Sequence, residues 1–368
     1  MFNFRKRIER LQTLLKEENL DALVLATVEG NNKNIYYLSG FGGTAGVLAI
    51  SQNDAVLAVD GRYTLRAKNE TSGLRIVDSA VSDRRVVDFT NYVVPAVKAL
   101  GLPVKNKIGF EGTRVSVHMA EAWKGVVGGD FIATTFLVEK LRQQKDAEEI
   151  KYLEEACRIT DEVFNQCVQN IKAGMNETEV AVHFDITLRE KGALMNSFDT
   201  IVASGPNSAI PHHETGDRVL EAGDPVTIDF GGLFKGGYCS DITRTIFVEG
   251  KAPDPKLVEI YNTVLEANKI AFKNLKPGIM WKEYDGFARA HIEKAGYGEY
   301  FTHGLGHSLG LEAHDPYNYA DSPFEEGVVI TNEPGIYIPE IGGVRIEDDL
   351  VVTKDGARLL TEAPYLAL

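Results

Sequence analysis

Cysteines are scarce in this sequence, and long hydrophobic runs are absent. Its three cysteines show no metal-binding spacing, which is typical of a protein kept in a reducing cytoplasm. No stretch approaches the roughly 20 apolar residues that a membrane-spanning helix needs. The charged residues at the start are followed by no apolar segment, so we expect no secretory signal. These features together predict a cytoplasmic protein that does not associate with membranes.

Clusters of basic residues are also missing. The 39 lysines and arginines face 53 aspartates and glutamates, which gives a net charge of −14 and argues against nucleic acid as a partner. The surplus of carboxylates fits either ordinary surface solubility or an oxygen-rich site for divalent cations. Six of the eight histidines lie between positions 212 and 314, and five of them are His212, His213, His303, His307 and His314. This clustering indicates where the chemistry of the protein is to be sought.

The length of 368 residues predicts two domains, because a single hydrophobic core rarely grows this large. Helical and strand patterns alternate along the first part, where apolar runs at 45–50 and 55–59 flank a short turn, as in a β-hairpin. We predict an α/β domain with a mixed sheet over residues 1–135. A polar stretch at 139–146 marks the boundary region, and the second domain is predicted over residues 136–368.

An internal repeat organises the second domain. Each half is predicted to contain two helices, followed by a stretch rich in strands that carries acidic residues. Gly174 and Gly278, which end the first helix of each pair, lie 104 residues apart. The acidic residues repeat at nearly the same spacing, with 104 residues between Asp229 and Glu333 and 106 between Asp241 and Glu347. This agreement predicts an α+β domain of two similar halves that face each other.

The first predicted hairpin of this domain holds two of the acids. Its strands flank a glycine-rich turn, and the midpoint between Asp229 and Asp241 is Lys235, inside that turn. In a regular antiparallel hairpin centred there, the two side chains oppose one another on the same face, about 5 Å apart. A bulge would break this symmetry, and the glycines permit one.

The second predicted hairpin repeats the arrangement with Glu333 and Glu347, whose midpoint again falls within a turn. Pro334 cannot donate a ladder hydrogen bond, which predicts an irregularity beside Glu333. Four carboxylates on facing hairpins would repel one another and raise each other's pKa, and two divalent cations would remove the conflict. Alternatively, the acids lie on an exposed sheet face or pair with Arg244 and Arg345. The mirrored arrangement favours metal.

A histidine-rich segment lies between the two hairpins. Residues 303–314 read His-Gly-Leu-Gly-His-Ser-Leu-Gly-Leu-Glu-Ala-His, and three glycines in the first eight positions argue against a helix. We expect an irregular segment that brings one imidazole to a metal and leaves others for proton transfer or oxyanion stabilisation. One histidine with four carboxylates suits Mn²⁺, Co²⁺, Fe²⁺ or Zn²⁺ without choosing among them. Two such ions can activate water and polarise a carbonyl, which predicts metal-assisted hydrolysis.

The order of these motifs resembles that of the pita-bread metallopeptidases, which include aminopeptidase P, prolidase and methionine aminopeptidase. The resemblance extends over essentially the whole chain. Its motifs are Ile228-Asp229-Phe230-Gly231, Tyr238-x-Ser240-Asp241-x-Thr243-Arg244-Thr245, the segment 303–314, Asn332-Glu333-Pro334-Gly335 and Gly343-Val344-Arg345-Ile346-Glu347-Asp348. The stretches Tyr36-Tyr37-Leu38-Ser39-Gly40-Phe41 and Asp60-Gly61-Arg62-Tyr63 resemble the creatinase-type N-terminal domain of the proline-directed members. The resemblance implies a creatinase-like domain followed by a pita-bread catalytic domain, and it suggests a homodimer.

The resemblance also implies a role for each matching residue. It implies five metal ligands, which are Asp229, Asp241, His307, Glu333 and Glu347. They would hold two divalent ions per chain, with Mn²⁺ as the preferred assignment, and in the family a hydroxide between the ions attacks the scissile carbonyl. Glu333 matches a ligand that also shuttles protons, and the other implied catalytic residues are His212, His303, His314 and Arg345. His213 has no clear family role. The complete ligand set separates the chain from creatinase, which works without metal.

The substrate implied by the resemblance is a peptide with proline in the second position, from which the first residue is released. The alternative is prolidase, which cuts only Xaa-Pro dipeptides. Many dipeptide-directed relatives place an arginine shortly after the last histidine to clamp the substrate carboxylate. Residues 314–321 contain no arginine, which favours aminopeptidase P. Tyr317 and Tyr319 either line the pocket or pack. A hydrolase of a non-peptide amide and a non-catalytic binding module are the further alternatives.

Overall fold

The computed structural model describes residues 2–28, 30, 32–79, 89–103 and 105–366. The chain divides into two compact units, Met1–Arg142 and Gln143–Leu368, so that the division falls within the polar stretch at 139–146.

The first unit is built on one mixed sheet, as predicted. Its helices are α1 (Phe4–Glu17), α2 (Lys33–Ser39), α3 (Thr64–Glu70), α4 (Thr90–Leu100) and α5 (Val117–Val127), with α6 (Glu139–Gln143) at the division. Its strands are β1 (Ala22–Val28), β2 (Ala45–Ser51), β3 (Ala55–Val59), β4 (Arg75–Asp78), β5 (Lys107–Glu111) and β6 (Asp130–Thr134). The strand order is β4-β3-β2-β1-β5-β6. Strands β2 and β3 pair antiparallel, which confirms the predicted hairpin, whereas β1 and β5 run parallel.

The second unit contains the predicted repeat of two helices followed by strands. Its first half consists of α7 (Ala147–Cys167), α8 (Glu177–Glu190), β7 (Met195–Asn196), β8 (Ile201–Ser204), β9 (Pro225–Phe230), β10 (Gly232–Leu233) and β11 (Ile242–Phe247). Its second half consists of α9 (Pro255–Asn274), α10 (Trp281–Lys294), β12 (Val329–Asn332), β13 (Gly335–Ile338), β14 (Gly342–Arg345), β15 (Asp348–Thr353) and β16 (Gly356–Leu359). Short 3₁₀ helices lie at Val168–Asn170, Gly205–Ala209 and Gly298–Tyr300.

Local sequence explains where the helices of the second unit begin. Asn176 and Glu179 form a capping box at the start of α8, in which each side chain accepts the other residue's backbone N–H. Asp146 and Glu149 form the same motif at the start of α7. Cys157, on the apolar stripe of α7, is buried, and the three cysteines are free thiols. Within the described part of the chain, no helix is long and apolar enough to cross a membrane.

Hydrogen bonds confirm the internal repeat at the predicted offset. The Gly174 N–H donates to the Leu220 carbonyl at 3.0 Å, and the Gly278 N–H donates to the Phe324 carbonyl at 2.8 Å. Both members of the second bond lie 104 positions after their counterparts in the first. Each half also has its own hydrophobic cluster, which packs its helix pair against its strands. The two halves therefore share one architecture, and the acidic residues lie in or directly beside the strands of both halves.

Candidate metal centre and active site

The second hairpin has the predicted register. Asn332 pairs with Asp348 in the β12–β15 ladder, and Gly335 pairs with Arg345 in the β13–β14 ladder. One continuous register therefore relates both ladders, and it places Glu333 opposite Glu347 in the gap between them. Pro334 follows Glu333 in this gap, as expected of a residue that cannot donate a ladder hydrogen bond. The irregularity leaves two facing carboxylates where regular pairing stops.

The first hairpin differs from the prediction in its register. Asp229 lies opposite Thr243 in the β9–β11 ladder, so the prediction that it directly opposes Asp241 is wrong by two positions. The turn is centred on Gly236 because Gly236 and Gly237 both adopt positive φ, at 93° and 83°. A shift of two residues keeps a side chain on the same face of a sheet. Asp241, just before β11, is therefore a diagonal rather than a direct neighbour of Asp229.

Thr243 joins the two hairpins. Its Oγ1 donates to Glu347 Oε2 at 2.6 Å, and its carbonyl accepts the Glu347 N–H at 3.0 Å. Thr243 is fully buried, and the hydrogen bond from its hydroxyl fixes the orientation of the buried Glu347 carboxylate. The sequence analysis assigned no role to this residue. Its position opposite Asp229 would have signalled one, had the register been known.

Three side chains from separate elements could hold one cation. Asp241, His307 and Glu347 each offer a ligand atom, and the three atoms lie within 4.8 Å of one another. His307 Nε2 lies 3.5 Å from Asp241 Oδ2 and 3.5 Å from Glu333 Oε1. The Nδ1 of His307 faces the Ser308 carbonyl at 3.2 Å. A proton on Nδ1 leaves the Nε2 lone pair for a metal, which is how second-shell contacts select the ligating tautomer.

Asp229 lies beside this group and is held by Arg345. The Arg345 Nη2 donates to Asp229 Oδ2 at 2.7 Å, while its Nε donates to Thr243 Oγ1 at 3.1 Å. The remaining carboxylate oxygen of Asp229, Oδ1, is buried and has no hydrogen-bond partner among the described residues. A buried carboxylate oxygen without a donor is expensive unless a cation faces it. The donor set of four carboxylates and one imidazole therefore fits a divalent metal centre.

Burial shifts the pKa values of these groups in opposite directions. It raises the pKa of Glu333 to about 7; the Asp229 charge adds to this shift and Arg345 opposes it. Burial and neighbouring carboxylates raise the pKa of Asp241 and that of Glu347 well above their usual ranges. Burial and the nearby His314 lower the pKa of His307 to about 3. A cation would favour ionisation of Asp241, Glu333 and Glu347, and the lowered pKa of His307 leaves its imidazole neutral, which is the form that can bind a metal.

One cavity of about 790 Å³ gathers all of the sequence-predicted site residues. Its lining includes His212, Asp229, Asp241, His303, His307, His314, Glu333, Arg345 and Glu347. His303 Nε2 lies 2.8 Å from the Tyr337 hydroxyl, and burial lowers the pKa of His303 to about 4. The His314 ring packs edge-to-face on His307 at 4.2 Å. His213 is outside this lining and pairs with the buried Glu177 at 2.8 Å.

Several residues of this site were not predicted from the sequence. Tyr337 contacts both His303 and Arg345 through its hydroxyl, at 2.8 and 3.1 Å. Gly343 pairs with Tyr337 across the β13–β14 ladder, and an added Cβ there would be 2.9 Å from the Tyr337 ring. A glycine paired with an aromatic residue in the predicted second hairpin was the sequence signal that could have identified Tyr337. Tyr319 lines the cavity, whereas Tyr317 is buried in the core. Other lining residues that were not predicted are Ser197, Phe198, Asp199, Ile201 and Glu312.

Comparison with known proteins matches both parts of the chain. Residues 151–354 match the model of metallopeptidase family M24, and residues 7–144 match the creatinase/prolidase N-terminal domain. An Xaa-Pro dipeptidase of Pyrococcus horikoshii is 38% identical over 361 residues, with 97% of each chain covered. A solved Xaa-Pro dipeptidase from Bacillus anthracis shares 42% identity and a TM-score of 0.90 over 99% of both chains. A solved X-Pro aminopeptidase from Thermotoga maritima shares 39% identity and a TM-score of 0.86, over 97% of this chain and 98% of that one.

Proposed function

The chain belongs to metallopeptidase family M24, in its proline-directed branch, and we propose that it is an Xaa-Pro aminopeptidase acting on peptides longer than a dipeptide. An enzyme that cuts Xaa-Pro dipeptides needs a cationic group to bind the free carboxylate of the proline. Arg345 is the one lysine or arginine in the cavity lining given by the described residues. Its guanidinium donates to Asp229, Thr243, Tyr337 and the Pro211 carbonyl. This engagement of Arg345 is the observation that carries the proposal.

The proposed ligands of two divalent ions are the five predicted residues, Asp229, Asp241, His307, Glu333 and Glu347. Bound ions would activate a water molecule and polarise the scissile carbonyl. Glu333, with a pKa of about 7, is suited to accept a proton and to return it to the leaving nitrogen. His303, His314 and His212 line the same cavity and would orient the substrate carbonyl and stabilise its developing charge. Arg345 would hold Asp229 in place.

Three further assignments belong to this proposal. Oxygen donors dominate the ligand set, which supports Mn²⁺ over metals that prefer sulfur. Three free, buried cysteines support a cytoplasmic location. The resemblance to proline-directed relatives supports a homodimer.

Xaa-Pro dipeptidase is the second candidate, because two of the relatives described above carry that name at 38% and 42% identity. In that case, the substrate carboxylate would be bound by a group outside the described cavity lining.

Parallel hydrolysis of Ala-Pro and Ala-Pro-Ala by the Mn²⁺-loaded protein tests the proposal. We expect alanine to be released predominantly from the tripeptide, with release abolished by EDTA. Release from the dipeptide alone would replace the proposal with the dipeptidase. No release from either peptide, with metal bound, would contradict both candidates and would favour the non-peptide amide hydrolase or the binding module.

A further inference from the structure

An ion pair lies in the interior of the second unit, behind the histidine segment. Lys145 Nζ and Asp315 Oδ2 are 3.2 Å apart, and each side chain is only 1% exposed. Neither residue lines the cavity. A buried ion pair is a weak source of stability, because removing two charges from water offsets most of their attraction. Such an ion pair can instead fix the position of the chain around it.

The backbone of Lys145 is fixed independently of its side chain. Its N–H donates to the Gly327 carbonyl at 2.8 Å, and Gln144 forms an antiparallel bridge with Val328. Residues 327 and 328 directly precede β12, and Glu333 is the residue that directly follows this strand. These backbone contacts therefore fix the point, beside the second hairpin, from which the Lys145 side chain extends. The sequence analysis treated this residue only as part of the polar boundary stretch.

The side chain of Lys145 reaches the turn that carries two active-site histidines. Its Nζ lies 3.4 Å from Ser308 Oγ, in addition to its pairing with Asp315. The Ser308 carbonyl faces His307 Nδ1 at 3.2 Å and accepts the Asp315 N–H at 2.8 Å. The ion pair thus closes a ring of contacts around the Ser308 carbonyl, which is one of two backbone groups, with Ala313, that hydrogen-bond His307. Asp315 also directly follows His314, whose ring packs on His307.

We infer that Lys145 is a positioning residue: through its ion pair with Asp315, it holds the Ser308–Asp315 turn so that His307 presents Nε2 to the metal centre. The inference rests on the proposed metallopeptidase function of this cavity. Without Lys145, the Asp315 carboxylate would remain buried and lose its cationic partner, and the turn would rearrange to hydrate it. His307 would then lose the fixed position of the backbone groups of Ser308 and Ala313 that orient its ring, which is a change outside the metal's own ligands.

Mn²⁺ binding by the full-length, metal-stripped protein tests this inference, with free Mn²⁺ followed by electron paramagnetic resonance. We expect Lys145→Met to weaken Mn²⁺ binding by about 10- to 100-fold, the loss typical of outer-shell changes. The visible spectrum of the Co²⁺-loaded variant should also change, because the imidazole ligand is displaced. Lys145→Arg, which keeps the charge, should recover part of the affinity. Arg218→Met is the matched control, because its ion pair with Asp224, at 2.6 Å, lies outside the cavity lining.

The outcomes separate this inference from the proposed function. Wild-type affinity and an unchanged Co²⁺ spectrum in folded Lys145→Met would overturn the inference. Failure of the wild-type protein itself to bind Mn²⁺ would overturn the proposed function, and the inference with it. Equal weakening in Arg218→Met would show a general effect of lost stability, which also overturns the inference. If Lys145→Met does not fold, Asp315→Asn provides the same test, with a weakened Mn²⁺ affinity expected and an unchanged one contradicting the positioning role.

Discussion

Glu333 is a proposed metal ligand, and at its side chain protons would compete with the metal. Its carboxylate is enclosed with Asp229 and close to His307 Nε2, and burial raises its pKa to about 7. In the metal-free protein, Glu333 therefore holds a proton over much of the neutral range. A cation must displace that proton before it can bind. The burial that makes Glu333 a suitable proton carrier thus also makes metal affinity dependent on pH.

Mn²⁺ affinity should consequently rise between about pH 6 and about pH 8, with protons released on binding. Below the pKa of about 7, protonated Glu333 opposes binding, and above it the ionised carboxylate favours binding. His307 contributes little in this window, since its pKa of about 3 keeps it neutral throughout. Isothermal titration calorimetry in buffers of different ionisation enthalpy measures the released protons. An affinity that does not vary with pH would contradict the buried-carboxylate account.

Asp241→Ala should remove a ligand without unfolding the protein. We expect hydrolysis to fall by more than about 100-fold, beyond the loss that outer-shell changes cause. The melting temperature of the metal-free variant should be unchanged or higher, because burial, together with repulsion from Glu347 and Asp229, raises the pKa of Asp241 in the intact site. Activity and thermal unfolding measured together check both statements. Glu221→Ala, an exposed carboxylate outside the cavity lining, is the control, and retained activity in Asp241→Ala would exclude the assigned ligand set.

The two hairpins differ in how well their strand register could be predicted from residue spacing. For Glu333 and Glu347, placing the centre of the turn at the midpoint between the two residues gives the observed register, because the turn is tight and Pro334 marks where pairing stops. For Asp229 and Asp241, the predicted pairing is wrong by two positions, because two glycine pairs at 231–232 and 236–237 leave the centre of the turn undetermined. The error preserves the face of the sheet, since side chains alternate with a period of two. The pattern therefore predicted the shared face but not the direct neighbour.

The histidine segment depends on close backbone approach at one of its glycines. A Cβ on Gly306 would lie 2.5 Å from the Thr331 carbonyl oxygen, whereas a Cβ on Gly304 would meet nothing within 4 Å. We expect Gly306→Ala to lower the free energy of unfolding by about 1–3 kcal/mol, the usual range for overpacking. It should also weaken metal binding, because His307 is the next residue. Chemical denaturation of Gly306→Ala and of the matched control Gly304→Ala measures the difference, and equal stability of the two variants would contradict this account.

At the scale of the whole second unit, the repeat explains why distant acids meet in one cavity. The sequence spacing of 104 residues predicted two similar halves, and equivalent hydrogen bonds at Gly174 and Gly278 confirm them. Contacts between remote segments were not predictable in the same way. Thr243 meets Glu347 across 104 residues and Lys145 meets Asp315 across 170, and both contacts depend on tertiary packing. The periodicity of a sequence predicts which face of an element a residue occupies, but it does not predict which residue from a distant segment contacts it.

The charge of the cavity predicts a requirement for a free substrate amine. Apart from the proposed metal ligands, the carboxylates of Asp199 and Glu312 line the cavity. Glu312 is half-buried and Asp199 is exposed, and a hydrogen bond to a charged group is worth about 1.5–3 kcal/mol. N-acetylated Ala-Pro-Ala should therefore have a kcat/KM lower by about 10- to 100-fold than the free tripeptide. Steady-state kinetics on the two peptides checks this, and equal values would contradict recognition of the substrate ammonium group.

The central claim is that five side chains from the two mirrored halves together bind a pair of divalent ions. The most direct test is the metal content of the full-length protein after saturation with Mn²⁺ and removal of the excess, measured by inductively coupled plasma mass spectrometry. The account predicts about two ions per chain, as expected of a two-metal hydrolase, and fewer in Asp241→Ala. A wild-type protein that retains no stoichiometric metal, or an Asp241→Ala variant that retains both ions, would contradict it.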